Sequence, residues 1–525
     1  MKWTKEHTAE ALQLYLRERP KALDKGEQNV RKLAEKFGTS PGSVALKIGN
    51  FIFLDPIAEG QNRKGMSGIS ELDKEVWLGL SGSPLSLRAL ESKNRRNPKI
   101  KMESPDQSSN FTVLLQKAIF AKPFTILTGN SGTGKTRSAE DLAAMFRDAD
   151  DTELAKNLAL VAVGADWTDN RNVVGYVNHL REAKMAGAVD SRPVYQSTPV
   201  LDLLLEASKP GREALPHFLI LDEMNLSHVE RYFADFLSAM ESRSGAIRFH
   251  EEGAGNAKAE TGDLKPESGT PEADFCLPRF EGDTVGVPRS LPYPQNFFVI
   301  GTVNVDETTY MFSPKVLDRA HVIEFEVDRG DVSKFLEDPK PLQPVPRAAA
   351  GQAEAFLDLS LRARGAKEPP LPELEKEVKT AVNTHLLEVL EILQNGRFEF
   401  AFRTAKEVVA YLKVSCELAA DKASWEAGKW KSDLDDEILQ KILPRLHGSR
   451  TRVGPLLGAL GWYLHTGDKE EAMKFFPAPG EELPEKPVQE IIALHKAAAA
   501  FPRSFAKVQR MARVVIEEQF LSFIC

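Results

Sequence analysis

The 525-residue chain is 42% apolar and 27% charged, the balance of a soluble globular protein long enough for two to four domains. No apolar run reaches the roughly 18–20 residues of a membrane helix, and the N-terminal "MKWTKEHTAEALQLY" lacks a signal-peptide core. Three cysteines, Cys276, Cys416 and Cys525, stand far apart, which argues against a disulfide framework or a zinc site and predicts a reducing cytoplasm.

The overall charge of −8 is uneven: residues 1–100 hold 18 Lys and Arg against 12 Asp and Glu, a formal +6 on an otherwise acidic chain. That distribution suits nucleic acid at the N-terminal end, or a solvated surface of mixed charge. Residues 1–91 read as a small all-α domain. Its stretch "VRKLAEKFGTSPGSVALKIGNFIFLDP" (30–56) predicts helix, turn, helix, with Val30, Leu33, Ala34 and Phe37 on one apolar face. Val44, Ile48 and Phe51 make the other, and Pro41 opens the second helix. This is the shape of a helix-turn-helix, whose second helix can enter a DNA major groove with Ser40, Ser43 and Lys47 toward the nucleic acid. A helical protein-docking domain is the alternative, because the second helix carries a single basic residue.

Residues 92–110, "SKNRRNPKIKMESPDQSSN", are polar, basic and Pro/Ser-bearing, and are expected to be a linker. From 111 to 330, apolar strand-like runs ("FTIL", "LALVAVGA", "HFLILDE", "NFFVIGTVNVD") alternate with helical periodicity. This predicts an α/β core with a parallel sheet and crossover helices. A Gly/Glu/Lys-rich insertion at about 251–271 is expected to be a mobile loop. The Pro-rich "LEDPKPLQPVPRAAAG" then leads into predominantly helical sequence to residue 525.

The chemistry-bearing stretch is "GNSGTGKT": Gly129, Asn130, Ser131, Gly132, Thr133, Gly134, Lys135 and Thr136 fit G-x-x-x-x-G-K-[ST]. Glycines let successive N–H groups curl around phosphates, Lys135 reaches the β/γ-phosphates, and the Thr136 hydroxyl is a ligand for Mg²⁺. A strand precedes the loop and a helix follows it, so the helix N-terminus adds its dipole to anion binding. "HFLILDEMN" (217–225) is a buried strand ending in two acids. Asp222 is the expected Mg²⁺ ligand and Glu223 the expected general base for an attacking water. In "NFFVIGTVNVDETT" (296–309), Asn304 is placed to help position that water.

The succession of strand with polar Asn304, short helix, Arg319 and strand resembles that of AAA+ ATPases. In that family this arginine reaches into the neighbouring subunit's site as an arginine finger. More specifically, residues from about 111 to 520 resemble the McrB-related branch, the motor subunits of modification-dependent restriction systems. "GNSGTGKT", "VAVGADWTDNRNVVGYVN", "FLILDEMNLSHVERYFADFLSAMES", "PQNFFVIGTVNVDETTYMFSPKVLDRA" and "ILQKILPRLHGSR" carry the likeness. The resemblance implies a P-loop NTPase core with a helical lid, Mg²⁺ as cofactor, a homo-oligomeric ring taken as a hexamer, and a McrC-like nuclease partner acting on DNA. "FAFRTAKEVVAYL" (400–412) resembles the start of the lid's sensor-2 helix, which implies that Arg403 contacts the γ-phosphate in cis. The founding McrB GTPases carry M-N-x-x-D-R where this chain has Val303-Asn304-Val305-Asp306-Glu307-Thr308. ATP is therefore the expected substrate and GTP the alternative.

The N-terminal module resembles one that also precedes HNH nucleases, and is unlike the methylcytosine-reading domain of the founding McrB. The ten histidines form no HNH pattern, so cutting is expected from a partner chain. Two other functions fit the same motifs: a MoxR-type remodelling chaperone acting on a protein client, and a switch that assembles on nucleotide and turns over slowly.

Overall fold

The structure, a computed structural model, describes residues 3–18, 27–54, 70, 72–73, 76–77, 109–146, 156–242, 245–252, 275–305, 310–327, 329–337, 345, 348, 351–476 and 487–523. Most of the expected linker, residues 253–271 of the expected insertion, residues 306–309, most of the Pro-rich stretch and Cys525 lie outside the described residues. The chain divides into two units, Met1–Lys99 and Ile100–Cys525.

In the first unit, α1 (Lys5–Glu18), α2 (Gln28–Lys36) and α3 (Pro41–Leu54) pack around a small core. Tyr15, Val30, Ala34, Val44, Ile48, Phe51 and Trp77 are buried there, so the apolar faces read from the sequence are the packed ones. The α2–α3 turn closes with Thr39 N–H donating to Ala34 O at 2.9 Å. The Ser40 hydroxyl accepts from Ser43 N–H at 3.2 Å, capping α3 ahead of Pro41.

The second unit is an α/β structure built on a five-stranded, all-parallel sheet of order β2-β5-β8-β1-β9. The strands are β1 (Phe124–Gly129), β2 (Leu158–Ala162), β5 (His217–Asp222), β8 (Phe297–Asn304) and β9 (His321–Phe325). An antiparallel hairpin, β3 (Tyr176–Lys184) and β4 (Ser191–Gln196), occupies part of the interval after β2. A second pairs β6 (Ala246–Arg248) with β7 (Ser290–Pro292).

The central strands are apolar on both faces because helices cover both, and the two-residue period sends alternate side chains to separate cores. Ile126, Leu219, Leu221, Val299 and Val303 enter one core. Leu127, Phe218, Ile220, Phe298 and Ile300 enter the other. Helices α4 (Ser109–Ala121) and α5 (Lys135–Met145) flank β1, α6 (Pro199–Ala207) and α7 (Ala234–Ala239) flank β5, and α8 (Pro314–Leu317) leads into β9. Strand order brings the C-terminal ends of β1, β5 and β8 side by side, where open parallel sheets bind ligands.

The helical remainder comprises α9 (Gln352–Arg364), α10 (Lys376–Gly396), α11 (Phe402–Leu418), α12 (Trp430–Glu437), α13 (Arg450–Thr466) and α14 (Pro502–Glu518). Buried charges join it to the sheet. Lys122, just before β1, lies 2.5 Å from Glu407 Oε1 of α11, and Lys441 lies 2.6 Å from Glu407 Oε2. Lys117 of α4 pairs with Asp433 at 2.7 Å, and Glu324 of β9 with Lys507 at 2.8 Å. Burial pushes the Glu407 carboxyl up, but the Lys441 and Lys122 ammonium groups outweigh it and hold the group at about 2. Among the described residues no helix is long and apolar enough to cross a membrane.

Candidate functional site

The loop after β1 is shaped by two backbone positions that exclude ordinary side chains. Gly129 has φ 147°, and a Cβ there would lie 2.6 Å from the Phe325 carbonyl oxygen of neighbouring β9. Gly134, with φ 89°, sits at the N-cap of α5 and offers no side-chain acceptor to the helix. The first-turn N–H groups of α5 are thus left to an external acceptor, and the helix dipole favours an anion there. Lys135 is 5% exposed. Its ammonium donates to Gly129 O at 2.9 Å, Asn130 O at 2.7 Å and Thr133 Oγ1 at 3.4 Å. Burial lowers its pKa, while the charges of Glu223 and Asp222 oppose the shift. Asn130, Ser131 and Gly132 are exposed along the loop.

Two neighbouring strands bring acids to this loop. Asp222 ends β5, and its Oδ1 accepts from Thr136 Oγ1 at 2.7 Å and from Thr302 Oγ1 at 2.6 Å. Glu223 has left-handed backbone, φ 54° and ψ 46°, a conformation that costs a non-glycine residue about 1–2 kcal/mol. Its N–H donates to Thr302 Oγ1 at 3.2 Å, and its Oε1 accepts from Asn304 Nδ2. Asn225 Nδ2 in turn donates to the Asn304 carbonyl at 3.3 Å. Lys135, Thr136, Asp222, Glu223 and Asn304 are thereby brought together.

Thr302, which is not among the site residues expected from the sequence, touches both acids and is buried. The signal was present in the alternation of "GTVN": Thr302 and Asn304 are two residues apart and share a face of β8.

Arg319 and Arg403 lie elsewhere. Arg319 lies two residues before the start of β9, whose His321 pairs with Thr125 while its Phe325 pairs with Gly129. Thr125 to Gly129 alone spans about 13 Å of strand, so Arg319 stands at the sheet edge opposite the loop. Its Nε donates to Leu237 O at 3.2 Å and its Nη1 to Lys315 O at 2.6 Å, and Nη2 lies 2.8 Å from Glu241 Oε2. Arg403, at the start of α11, grips the same carboxylate with both Nη atoms, at 2.7 Å to Oε1 and 2.8 Å to Oε2. Arg403, expected to reach the γ-phosphate in cis, is engaged here by Glu241, beside Arg319. A cleft of about 600 Å³ opens at this edge, lined by Lys122, Tyr293, Arg364, Lys406 and Glu407 among others.

The N-terminal unit departs from expectation at Lys47. This residue is buried, with Nζ 2.7 Å from Asp73 Oδ1 and 4.8 Å from the Trp3 ring centroid. Asp73, itself buried, also accepts from Asn50 Nδ2 at 3.0 Å and Ser70 N–H at 2.9 Å. Lys47 is thus an internal ion-pair partner rather than a groove-facing cation. The outward side of α3 carries Leu46, 53% exposed. Ser40 is exposed and Ser43 partly so, tied to one another at the start of α3.

Residues 354–520 match a family described as a domain of unknown function, DUF8727. The match covers helices α10–α14 and most of α9, with Arg403 and Glu407, and leaves out the loop and both acids. No curated protein matches the chain.

Proposed function

We propose that the chain is a nucleoside triphosphatase of the AAA+ kind, related to the McrB motors of restriction systems, working in the cytoplasm as a homo-oligomeric ring. The observation that carries this is the meeting of Lys135, Thr136, Asp222, Glu223 and Asn304 at one end of the parallel sheet. The loop N–H groups and the N-terminus of α5 hold the β/γ-phosphates, and Lys135 exchanges its carbonyl partners for phosphate oxygens. Thr136 and Asp222 offer two converging oxygens, which fits Mg²⁺, an ion that takes one or two protein oxygens and keeps several waters. An ion held there by Thr136 and Asp222 would supply charge neutralisation to the transferred phosphoryl group. Glu223 takes the proton of the attacking water, and Asn304 fixes the carboxylate that does so. Arg319, remote from its own loop, acts on a neighbour's nucleotide, and Arg403, sharing Glu241, joins it on the donor side.

Glu223→Gln should still bind ATP and assemble, yet lose turnover by about 10²–10⁴-fold, the range for a general base. Near-normal hydrolysis in that variant overturns the proposal. Competition of unlabelled ATP and GTP against a labelled nucleotide tests the substrate, with ATP expected to be hydrolysed at least as fast as GTP.

In this role the ring engages DNA and serves a McrC-like nuclease in a restriction or phage-defence complex. One observation favours a second possibility, a MoxR-type chaperone docking a protein client. Lys47 is used internally, and α3 turns Leu46 outward rather than a cation. DNA binding by the full chain that weakens steeply with salt supports the first role, and its absence supports the second.

A further inference from the structure

Glu241 follows α7 on the segment that continues from Glu223, and it is the one carboxylate shared by Arg319 and Arg403 among the described residues. Its side chain is 15% exposed and that of Arg319 21%, whereas Arg403 is 45% exposed and its contact is partly screened by water. Arg403 meets it with Nη2 donating to Oε2 at 2.8 Å while Nη1 lies 2.7 Å from Oε1. Arg319 has its three nitrogens on three different acceptors, Leu237 O, Lys315 O and Glu241. Without Glu241 the two guanidinium groups repel one another, and Arg403 loses the only acceptor it has among the described contacts. With it, the pair keeps a net positive charge and a fixed spacing, both suited to a polyphosphate.

We propose that Glu241 is a positioning residue that yokes Arg319 and Arg403 into one unit delivered to the nucleotide of the neighbouring chain. This rests on the ring NTPase proposed above. It assigns Glu241 to the donor side of the shared site: its loss should damage the site of the next chain and spare its own.

The test is steady-state ATP hydrolysis by Glu241→Gln, Glu241→Ala and Glu241→Asp, alone and in mixed oligomers. Glu241→Gln should lower kcat by about 10–100-fold, the weight of one charge-assisted contact, with KM for ATP little changed. Glu241→Asp, which keeps the charge, should recover part of the loss. Glu241→Ala mixed with Glu223→Gln chains should regain activity, because the latter donate an intact arginine pair to intact Glu223 sites. Glu241→Ala mixed with Arg319→Ala should stay inactive, since neither donates. Wild-type kcat in Glu241→Gln, or failure of Glu223→Gln to rescue Glu241→Ala while it rescues Arg319→Ala, overturns the assignment. Failure of Glu223→Gln to rescue Arg319→Ala overturns the ring mechanism itself and the role of Glu241 with it.

Discussion

Asn304 Nδ2 donates to Glu223 Oε1 across the ends of two adjacent strands, so the carboxylate proposed as the base is aimed by the amide of its neighbour. Asn304→Ala should keep nucleotide affinity and lose about 10–100-fold in kcat, the equivalent of one hydrogen bond to a charged group. Single-turnover hydrolysis with saturating ATP checks this, and an unchanged rate would remove Asn304 from the mechanism.

Thr302 has the opposite signature, because it bonds to both acids at once. Thr302→Val keeps the shape, strips Asp222 of a donor and removes the Thr302 hydroxyl that accepts from the Glu223 N–H. Stability should fall by about 1–3 kcal/mol, measured by urea unfolding, and half-maximal activity should need more Mg²⁺.

The two arginines separate cis from trans action. Arg319→Ala should bind ATP normally and hydrolyse it about 10³-fold more slowly, by analogy with other fingers. Arg403→Ala should show a smaller loss of the same kind. Mixing either with Glu223→Gln chains should restore activity, and an Arg403→Ala protein beyond such rescue would return Arg403 to its own chain's nucleotide. Wild-type specific activity should rise with protein concentration as rings form.

In the N-terminal unit, Lys47→Ala leaves Asp73 buried without its cation. Breaking such a pair costs about 3–5 kcal/mol, so the unit should unfold at markedly lower urea. The exposed basic residues of α2, Arg31 and Lys32, give the better test of nucleic-acid contact. If DNA is bound there, Arg31→Ala with Lys32→Ala should flatten the salt dependence without loss of stability.

A pH effect follows from α12. Burial raises the Asp436 carboxyl from 3.8 to about 6, against the pull of Arg503. A carboxyl with a raised folded pKa holds its proton more tightly in the folded state. Its contribution is complete below pH 3.8 and is lost as the pH rises through 6. Asp436→Asn should therefore stabilise the protein by roughly 1–3 kcal/mol at pH 7.5 and hardly at all at pH 4, as read from unfolding curves at both values.

The loop and the acid strand were legible because their chemistry is local: eight consecutive residues make the cradle, and four apolar residues ahead of Asp222 announce a buried strand. Thr302 was harder, since its role depends on which strand lies beside β8. The Arg403–Glu241 pair spans 162 residues and belongs to the tertiary fold alone. Lys47 departs from expectation for a physical reason: its neutralising partner, Asp73, sits 26 residues on, so the ion pair belongs to the tertiary fold and not to the helix pattern.

The buried lysines that join sheet and helices also fix where this chain can be cut. Glu407 and Asp433 lie inside the 354–520 match, while Lys122 and Lys117 lie outside it. A fragment that began at residue 354 would keep Lys441 beside Glu407 but lose Lys122 from that carboxylate and Lys117 from Asp433. The helices are thus not a cassette to be grafted onto another engine, and a working chimera must bring Lys117 and Lys122 with them.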